Sequence, residues 1–459
     1  MKMTVGEIAD ACGGKLLCGS RQTEITSVSA DSRKIGPGAL FVPIRGKKTD
    51  AHAHISDAFA AGAAAVFTQE HETAAGPGAW IAVADTLRAA QETAAAYRKK
   101  FRIPVVGITG SVGKTTTKEM VALALSSERN VMKTEGNSNS QIGVPLTLFR
   151  LSPEHEAAVV EMGMSEFGEM GRLAAAAAPD HAVVTNIGVS HIGQLGTRRN
   201  IMREKLHITD RFHSGSVLFL NGDDPLLSGL RGKTECRTVW FGTQPWCDFR
   251  AENIELKSGS VSFRAAYSGG AEKVVVPAPG VHMVLNALAA LAVAFRLGVS
   301  VKKAAEALED YRPLAMRQQI RKAGGVTVID DSYNASPDAV TSGLGILEGF
   351  SGGRRVAVLA DMLELGNYSA RAHYDVGVRA ASAADVLVTV GKEAEKIAEG
   401  ARSASPEMEI LVFGENEEAV SFLKRFLVPG DAVLIKGSRG MRTDRIVSEI
   451  LPFLEDAEA

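Results

Sequence analysis

Residues 105–120 read VVGITGSVGKTTTKEM. An apolar run is followed by a glycine-rich turn and a helical pattern, which is the order of a strand, a phosphate-binding loop and a helix. The backbone N–H groups of such a loop surround phosphate oxygens, and the helix N-terminus adds partial positive charge. Lys114 is placed to reach the β- and γ-phosphates, and Thr115 to put its hydroxyl on a magnesium ion. The segment therefore predicts a nucleotide site on a parallel sheet.

The glycines of this segment depart from the usual phosphate-loop pattern. The pattern G-x4-G-K-[ST] places glycine at position 108, where this chain has Ile108, and the glycines stand at Gly107, Gly110 and Gly113. We predict a shortened loop from Gly110 to Lys114. A glycine-rich turn without a ligand is the alternative, and the order of strand, loop and helix favours the nucleotide. The predicted contacts are Thr109, Gly110, Ser111, Gly113, Lys114, Thr115 and Thr116.

Around this loop, short apolar runs alternate with helical patterns over residues 84–312. The runs stand at 105–110, 157–163, 181–188 and 216–224. Alternation of this kind predicts a parallel sheet covered by helices. Turn signals indicate an antiparallel insert at about 247–278, and the apolar stretch at 284–298 predicts a buried helix.

Two further blocks flank the central one. Residues 1–83 carry short β-like pieces and an alanine-rich stretch, HISDAFAAGAAAVF at 54–67, which predicts a helix. Residues 313–459 repeat the alternation of apolar runs and loops, and a hinge is expected near Pro313. Ligands of open parallel sheets bind in the loops beyond the strand ends. The sequence thus predicts an α/β protein with three domains, at 1–83, 84–312 and 313–459.

Length and composition agree with this organisation. At about 150 residues per domain, 459 residues correspond to about three domains. The apolar fraction of 45% and the charged fraction of 23% exclude a mainly disordered, collagen-like or coiled-coil protein. The net charge of −2 gives no electrostatic reason to expect nucleic acid or an anionic membrane as a partner.

The cellular compartment is predicted from the cysteines and the N-terminal segment. The 4 cysteines are too few for a disulfide scaffold and lack the paired spacing of a zinc site. No apolar run approaches the ~18 residues that cross a bilayer. Glu7 and Asp10 interrupt the apolar core that a signal peptide would need. We expect a cytoplasmic protein with free thiols and without membrane insertion.

Two side chains outside the loop are candidates for holding the metal ion that a phosphate loop needs. Glu161 ends the apolar run at 157–163, where a carboxylate would face the ion; a surface position is the alternative for a lone strand-end acid. His191 follows another apolar run, and a lone loop histidine is more often structural or solvated. The phosphate loop on an earlier strand of the same block favours the metal role for both.

Together these residues resemble the Mur ligases, the ATP-dependent amide ligases of peptidoglycan synthesis. The resemblance rests on TGSVGKTTT, on Glu161 in EMG, on His191 after NIG and on Lys205 in MREKLHI. Four further segments extend it over the chain: TEGNSNSQIGVPLTL at 134–148, DDSYNASPDAV at 330–340, ADMLELG at 360–366 and KGSRGMRTDRIV at 436–447. These four resemble the subfamily that adds D-alanyl-D-alanine.

The resemblance implies an N-terminal domain for the UDP end of the substrate, a central ATPase, and a C-terminal Rossmann-like domain that binds ATP and D-Ala-D-Ala. It implies a ligase that joins D-alanyl-D-alanine to UDP-N-acetylmuramoyl-tripeptide through an acyl phosphate, giving the pentapeptide precursor, ADP and phosphate. ATP and two magnesium ions are implied, one of them held through a carbamylated Lys205. We expect a monomer.

The resemblance also implies roles for single residues. The catalytic residues would be Lys114, Lys205, His191 and Arg317, and the metal would be held by Thr115, Glu161, His191 and Lys205. Outside the loop, nucleotide contacts are implied for Asn286 at adenine, Arg317 at the γ-phosphate, Asp331 at the ribose, and Asn334. Substrate contacts are implied for Ser32, Arg33, Asn137, Asn139, Lys436, Ser438 and Arg439. From the residues alone, Lys205 could be a surface helix lysine and Asn286 a polar group satisfied by backbone.

Three other functions remain open at this point. Another amide ligase of the superfamily, such as a folylpolyglutamate ligase or an earlier Mur ligase, would carry different residues at DSYNASP. A GTPase or regulatory nucleotide-binding module would show N-K-x-D after a strand, which this chain lacks. A non-catalytic relative is disfavoured because Lys114, Glu161, His191 and Lys205 are all present.

Overall fold

The protein is an α/β fold, described by a computed structural model over residues 1–46, 49–74 and 76–456. A five-stranded, a nine-stranded and a six-stranded sheet follow one another along these residues, and a two-stranded ribbon accompanies the first. This arrangement confirms the predicted fold class. None of the helices in the described ranges has the length and hydropathy that a membrane span requires.

The N-terminal region carries the five-stranded sheet. Its elements are β1 (Met3–Thr4), α1 (Val5–Ala11), β2 (Lys15–Cys18), β3 (Glu24–Ile25), β4 (Ser27–Ser29), β5 (Ala39–Phe41), α2 (Ile55–Ala60), β6 (Ala63–Thr68), β7 (Ala79–Ala82) and α3 (Thr86–Arg98). The strand order is β2-β7-β6-β5-β4, with only β2 antiparallel to its neighbour, and β1 pairs with β3. Helix α3 leads into the next region.

The predicted helix at 54–67 is wrong in its second half. Helix α2 ends at Ala60, and the chain turns at Gly62, whose φ of +105° residues with side chains rarely adopt. Residues 63–68 form β6 between β5 and β7, where Val66 and Phe67 are fully buried. Burial between two parallel neighbours outweighs the helix propensity of the alanines.

The central region is the nine-stranded sheet with its covering helices. Its elements are β8 (Val105–Thr109), α4 (Lys114–Ser126), β9 (Val131–Lys133), α5 (Gly143–Leu148), β10 (Ala157–Glu161), α6 (Glu169–Ala177), β11 (His181–Val184), α7 (Ile192–Leu195), α8 (Arg198–Leu206), β12 (Val217–Asn221), α9 (Pro225–Ser228), β13 (Arg237–Gly242), β14 (Phe249–Lys257), β15 (Ser260–Tyr267), β16 (Gly270–Val276), α10 (His282–Arg296) and α11 (Val301–Leu308). The strand order is β16-β15-β14-β13-β12-β11-β8-β10-β9.

The pairing of these strands positions the phosphate loop. Neighbours from β9 to β14 are parallel, and β14, β15 and β16 form antiparallel hairpins, which confirms both sheet predictions. Strand β8 lies between β10 and β11, and all of its residues are buried. Because parallel strands end at the same edge, the loops after β8, β10 and β11 meet there. The predicted buried helix is α10, whose residues are mostly buried.

The C-terminal region is the six-stranded sheet. Its elements are β17 (Gln319–Ala323), β18 (Val326–Asp330), α12 (Pro337–Glu348), β19 (Arg355–Ala360), α13 (Ser369–Ala383), β20 (Val386–Val390), α14 (Glu395–Ala404), β21 (Glu409–Phe413), α15 (Asn416–Phe426), β22 (Ala432–Lys436) and α16 (Asp444–Asp456). The order is β17-β18-β22-β19-β20-β21, parallel except for β17. The five apolar runs predicted here as strands are β18 to β22.

Candidate active site

A cavity of about 750 Å³ lies where the three regions meet. We call its central-region side the central wall, formed by residues 111–116, 137–142, 161–169, 185–191 and 285–286. The opposite side is the C-terminal wall, formed by residues 317–318, 331–342, 363–365 and 436–440. Ile44 and Leu87 of the N-terminal region also line the cavity.

Two glycines shape the phosphate loop at the base of the cavity. Gly110 has a φ of +150°, and a Cβ atom there would lie 1.8 Å from the Thr185 hydroxyl oxygen. Gly113 has a φ of +84° and precedes α4, whose first N–H groups receive no side-chain cap. Uncapped N–H groups at a helix N-terminus are available to an anion. The shortened loop thus has the backbone geometry that a phosphate group requires.

Sequence reasoning missed the residues that brace this loop. Asn186 accepts from the N–H of Ser111 through its carbonyl and from the N–H of Val112 through Oδ1, each at 3.0 Å. Its Nδ2 donates to the Val112 carbonyl at 3.0 Å, and the Thr185 hydroxyl donates to the same carbonyl at 2.6 Å. The only signal for them in the sequence was their position directly after β11. The NIG motif that begins there drew attention to His191 instead.

Lys114 points its ammonium group into the loop. Its Nζ donates to the carbonyl oxygens of Gly110 at 2.8 Å and Ser111 at 3.2 Å. Burial lowers the pKa of Lys114; the Glu161 carboxylate opposes this shift, and the Arg317 charge adds to it. An ammonium held only by carbonyls is well placed to take a phosphate oxygen as a further partner.

Glu161 lies at the end of β10 and is 1% exposed. Its Oε1 accepts from the Thr115 hydroxyl at 3.2 Å and from Asn139 Nδ2 at 2.6 Å. Its Oε2 is buried and has no hydrogen-bond partner in the described part of the chain. Carboxylate and hydroxyl oxygens are the ligands that Mg²⁺ prefers. Glu161 and Thr115 therefore fit a magnesium ion.

Lys205 is 2% exposed, so it is not a surface lysine. Its Nζ donates to the carbonyl of Gly110 at 2.9 Å. Burial, with the charge of Lys114, lowers the pKa of Lys205 well below its ordinary value, and the neighbouring Glu204 carboxylate opposes the shift. Glu204 is itself bound to the N–H groups of Gly168 and Met170. The environment favours a neutral amine beside the phosphate loop.

His191 joins the central wall to the C-terminal wall. It has a φ of +61°, and its Nδ1 lies 2.8 Å from Oε2 of Glu364. This imidazole lowers the pKa of the Glu364 carboxyl. The Glu364 carbonyl also accepts from the N–H of Gly193 at 3.3 Å. The predicted metal-holding histidine thus lies in the cavity, against an acid that the sequence motifs did not single out.

Asn286 projects from α10 behind the loop. Its Oδ1 accepts from the Thr117 hydroxyl at 3.0 Å, and its Nδ2 is buried without a hydrogen-bond partner among the described residues. The backbone therefore does not satisfy this amide. A buried, unpartnered N–H donor fits a ring nitrogen of a base such as adenine.

On the C-terminal wall the polar side chains bind one another. Lys436 Nζ lies 2.7 Å from Oδ2 of Asp331 and donates to the carbonyl of Asn334 at 2.9 Å. Burial raises the pKa of Asp331, and the ammonium of Lys436 opposes the rise. Ser438 Oγ accepts from the N–H of Leu363 at 2.8 Å, and Asn334 Oδ1 accepts from the N–H of Arg439 at 3.2 Å.

The two walls also contact each other at places other than His191. The N–H of Val189 donates to Oδ2 of Asp338 at 3.1 Å. A Cβ atom at Gly188 would lie 2.0 Å from that same carboxylate oxygen, so a larger residue there would displace the Asp338 carboxylate from this contact. The amide of Asn137 donates to the hydroxyl of Tyr333 across the cavity. Of these residues, only Asn137 was predicted as a site residue.

Several predicted site residues do not line the cavity in the described ranges. Ser32 and Arg33 lie in a short 3-10 turn, where Arg33 is exposed and binds both carboxylate oxygens of Asp31 at 2.9 Å. Thr109 at the end of β8 and Lys205 behind the phosphate loop are both buried outside the lining of the cavity. Gly110 presents its carbonyl to the two lysines rather than to the cavity.

Known proteins share these sequence features over the whole chain. The Mur ligase middle domain matches residues 108–294, the glutamate ligase domain of Mur ligases matches 316–439, and the Mur ligase catalytic domain matches 24–114. A UDP-N-acetylmuramoyl-tripeptide–D-alanyl-D-alanine ligase of Bacillus subtilis is 36% identical over 456 residues, covering 98% of this chain and 99% of its own. This chain belongs to the Mur ligase family. The family predicted from the motifs is confirmed.

Solved structures of Mur ligases share the fold of this one. A crystal structure of MurF from Acinetobacter baumannii has a TM-score of 0.91 at 30% identity, covering 98% of this chain and 99% of that chain. MurF of Thermotoga maritima in complex with ADP has a TM-score of 0.82 at 29% identity, covering 94% and 98%. The three-region architecture of this Mur ligase is therefore that of MurF.

Proposed function

We propose that this Mur ligase joins D-alanyl-D-alanine to UDP-N-acetylmuramoyl-tripeptide at the cost of ATP. The observation that carries the proposal is the phosphate loop of the central wall. An uncapped helix N-terminus, the ammonium of Lys114 and the Oε2 of Glu161, which is buried without a partner in the described ranges, lie along it, and the buried amine of Lys205 contacts the loop at Gly110. The substrates are those in the name of the Bacillus subtilis relative, which matches nearly the full length of both chains.

The nucleotide would lie along the phosphate loop. The N–H groups at the start of α4 and the ammonium of Lys114 would bind its phosphates. The unpartnered Nδ2 of Asn286 would donate to adenine, and Asp331 on the C-terminal wall would bind the ribose. Arg317 would contact the γ-phosphate from the same wall, and Asn334 would be a further nucleotide contact there.

We propose that two magnesium ions bind beside the phosphate loop. Glu161 and Thr115 would hold one ion, and His191 with Lys205 would hold the other. Bound magnesium neutralises the charge that spreads over the phosphoryl oxygens. Burial disfavours the charged form of Lys205, which would favour attack of its amine on carbon dioxide. An N–C bond would form, a C=O π bond would open, a proton would be released, and the carbamate would offer two oxygen atoms as ligands.

The reaction activates a carboxylate, which is a poor acyl donor. A carboxylate oxygen of the tripeptide attacks the γ-phosphorus, the bond to ADP breaks, and an acyl phosphate forms. The free amine of D-Ala-D-Ala then attacks the carbonyl carbon, phosphate leaves, and the amide nitrogen loses a proton. Lys114 and Arg317 would stabilise the charge on the transferring phosphoryl group. No covalent nucleophile on the protein is needed.

Contact between the walls protects the intermediate. An acyl phosphate hydrolyses in water, and closure of an active site expels water. The contacts of Val189 with Asp338 and of Gly193 with Glu364 hold the cavity closed from both sides. We propose 1–83, 84–312 and 313–459 as the domains that open and close.

The remaining substrate groups would bind at the ends of the cavity. The exposed guanidinium of Arg439, with Ser438 and Lys436 behind it, would receive the carboxylate of D-Ala-D-Ala. Asn137 and Asn139 would contact the muramoyl peptide. Ser32 and Arg33 would meet the UDP end, beyond the described lining of the cavity. One chain supplies all of these groups, and we expect a monomer acting in the cytoplasm, where ATP is at hand.

Release of phosphate from ATP, measured in the presence of magnesium, tests the proposal. UDP-N-acetylmuramoyl-tripeptide and D-Ala-D-Ala are added separately and together, and products are identified by mass. We expect release only with both, together with a UDP-pentapeptide. Release that needs the nucleotide sugar with a different amine would indicate another Mur ligase activity. Tight ATP binding without release under any combination would contradict the ligase and favour a nucleotide-binding module.

A further inference from the structure

Tyr333 lies where the two walls meet and contacts both. Its ring lies under the guanidinium of Arg317, with 4.0 Å between Cζ and the ring centroid. Its backbone N–H donates to the carbonyl of Met316 at 3.1 Å. Its hydroxyl accepts a hydrogen bond from the amide of Asn137 on the central wall. One side chain therefore joins Arg317 to the opposite side of the cavity.

The backbone around Arg317 needs to be held from outside. Met316 and Gln318, its neighbours, have φ values of +61° and +55°, a region that residues with side chains adopt rarely. Tyr333 binds the carbonyl of Met316, and His282 Nε2 lies 2.6 Å from Oε1 of Gln318. Such conformations persist where surrounding contacts over-determine them.

The guanidinium of Arg317 has the aromatic ring as its clearest neighbour. The ion pairs described on this wall, Asp331 with Lys436 and Arg439 with Asp444, leave Arg317 out. A guanidinium over the face of a tyrosine ring is attracted by the ring quadrupole. The orientation of Arg317 towards the phosphate loop thus depends on Tyr333.

The other end of this contact leads to the metal-holding acid. Asn137 and Asn139 belong to one turn, closed by a hydrogen bond of 2.7 Å from the N–H of Asn139 to the carbonyl of Asn137. The Nδ2 of Asn139 donates to Oε1 of Glu161 at 2.6 Å. Contacts therefore run without a gap from Glu161 through the asparagine turn and Tyr333 to Arg317.

We propose that Tyr333 is a positioning residue, which places Arg317 on the γ-phosphate only when the asparagine turn is seated on Glu161. This inference rests on the proposed function, in which Arg317 contacts the γ-phosphate. The consequence is that the arginine and the metal-holding acid are assembled together, so phosphoryl transfer is tied to the closed cavity. Tyr333 acts through Arg317 and does not touch the reacting atoms.

Nucleotide binding to the full chain tests the proposal without either ligase substrate. ADP and an imido analogue of ATP that is not hydrolysed differ by the γ-phosphate, so the ratio of their Kd values reports the Arg317 contact. We expect Y333L to reduce the preference for the analogue about tenfold, which corresponds to the upper range of a cation–π contact. R317A should give the same loss, and the double variant no further loss.

The role of the Tyr333 hydroxyl is tested by the conservative substitution Y333F, which preserves the fold. Y333F keeps the ring and removes the partner of Asn137, so we expect the preference to fall about twofold to threefold. N137A should match it, and N137A with Y333F should add nothing. In phosphate release, Y333F should lower kcat by a similar factor and leave KM for D-Ala-D-Ala unchanged.

A second arginine and tyrosine pair in the same chain provides the control. Arg371 lies 6.0 Å from the ring of Tyr374 on α13, outside the cavity. Y374L should leave both the Kd ratio and phosphate release unchanged. A folded Y333L with the wild-type ratio, additive losses in Y333L and R317A, or a wild-type chain without preference for the analogue would each overturn the inference. Failure of ligation with an intact Kd ratio would instead overturn only the proposed substrates.

Discussion

The two walls of the cavity hold their polar groups differently. On the central wall, Glu161 Oε2 and Asn286 Nδ2 are buried without a hydrogen-bond partner within the described ranges, and Lys114 and Lys205 have only carbonyl oxygens as partners. On the C-terminal wall, Asp331 is paired with Lys436, and Ser438 binds the backbone. The buried acid of the central wall has no cation beside it in an ion pair of the described ranges, whereas the buried acid of the C-terminal wall has Lys436 as its ion-pair partner.

This difference separates binding from positioning. A buried polar atom without a partner costs about 1–3 kcal/mol, so the central wall is stabilised when a nucleotide and magnesium supply the missing contacts. The C-terminal wall already pairs its buried acid with a lysine, so breaking that pair should cost stability as well as function. Substitution of the unpaired acid on the central wall should instead affect activity with little loss of stability.

The largest effect is expected for E161Q on the central wall. Removing the carboxylate removes the charge that would hold magnesium, so we expect kcat for phosphate release to fall about 1,000-fold or more. The free energy of unfolding should stay equal or rise by about 1 kcal/mol, because a buried carboxylate oxygen without a partner is lost. Phosphate release and denaturant titration measure the two quantities.

The control for E161Q is E252Q on the antiparallel extension. Glu252 binds Arg250 and Arg264 at the surface, far from the phosphate loop in the sheet order. This variant should keep kcat within about twofold, since exposed ion pairs contribute little. An E161Q chain that loses stability by several kcal/mol would contradict the division between the walls.

On the C-terminal wall, K436M should lower the free energy of unfolding, which E161Q should not. The substitution leaves the Asp331 carboxyl buried without its cation, and breaking one side of a buried pair costs about 3 kcal/mol or more. The pKa of Asp331, already raised by burial, loses the ammonium that opposes the rise, so the carboxyl takes up a proton more readily. Denaturant titration should show the loss of stability.

Two variants check the cause of that loss. D331N with K436M should recover part of the stability, because the lone buried acid is gone. K424M removes an exposed lysine that lies 3.1 Å from Glu449, and it should cost less than about 1 kcal/mol. Equal losses for K436M and K424M would show that burial does not set the cost.

The contact between the walls is tested by G188A. The added Cβ would lie 2.0 Å from Oδ2 of Asp338, so this carboxylate must move and its contact with the N–H of Val189 between the walls is disturbed. A small displacement of the reacting groups reduces kcat strongly, and we expect a fall of about 50-fold with stability little changed. Steady-state phosphate release measures it.

Removing the Asp338 carboxylate tests whether its clash with the new methyl group causes the loss of kcat in G188A. G188A combined with D338A should be more active than G188A alone, because the carboxylate oxygen that meets the new methyl group is gone. G259A, in the turn between β14 and β15, adds a methyl group where no atom lies within 4 Å, and should leave kcat unchanged. A double variant as slow as G188A would contradict a steric block.

The sequence was sufficient for features that depend on nearby residues. The phosphate loop and the strands around it follow from local patterns, since strand, glycine turn and helix are set within residues 105–120. The contact between Gly188 and Asp338 could not be predicted, because the need for glycine arises from a carboxylate in another region. The strand at 63–68 was missed for a related reason: burial by neighbouring strands overrides the alanine pattern. The surface position of Ser32 and Arg33 likewise depends on how the N-terminal sheet faces the cavity.

The smallest effect concerns His282, which joins α10 to the C-terminal wall. Its Nε2–H donates to Oε1 of Gln318 at 2.6 Å, and the Ser342 hydroxyl donates to its Nδ1 at 2.9 Å, an arrangement that suits the neutral ring. Burial lowers the pKa of His282 to about 4; the bond to Gln318 opposes the shift, and Lys436 adds to it. At pH 5 the unfolded chain therefore binds a proton that the folded chain does not.

The free energy of unfolding should carry no penalty from His282 above pH 6.5, and the penalty should grow as the pH is lowered towards 4. H282Q has no such proton, so the stability difference between wild type and H282Q should shrink by about 2 kcal/mol from pH 7 to pH 5. A constant difference for H282Q would mean that His282 takes up its proton equally in the folded and unfolded chains, and that the closed protein does not hold the ring neutral.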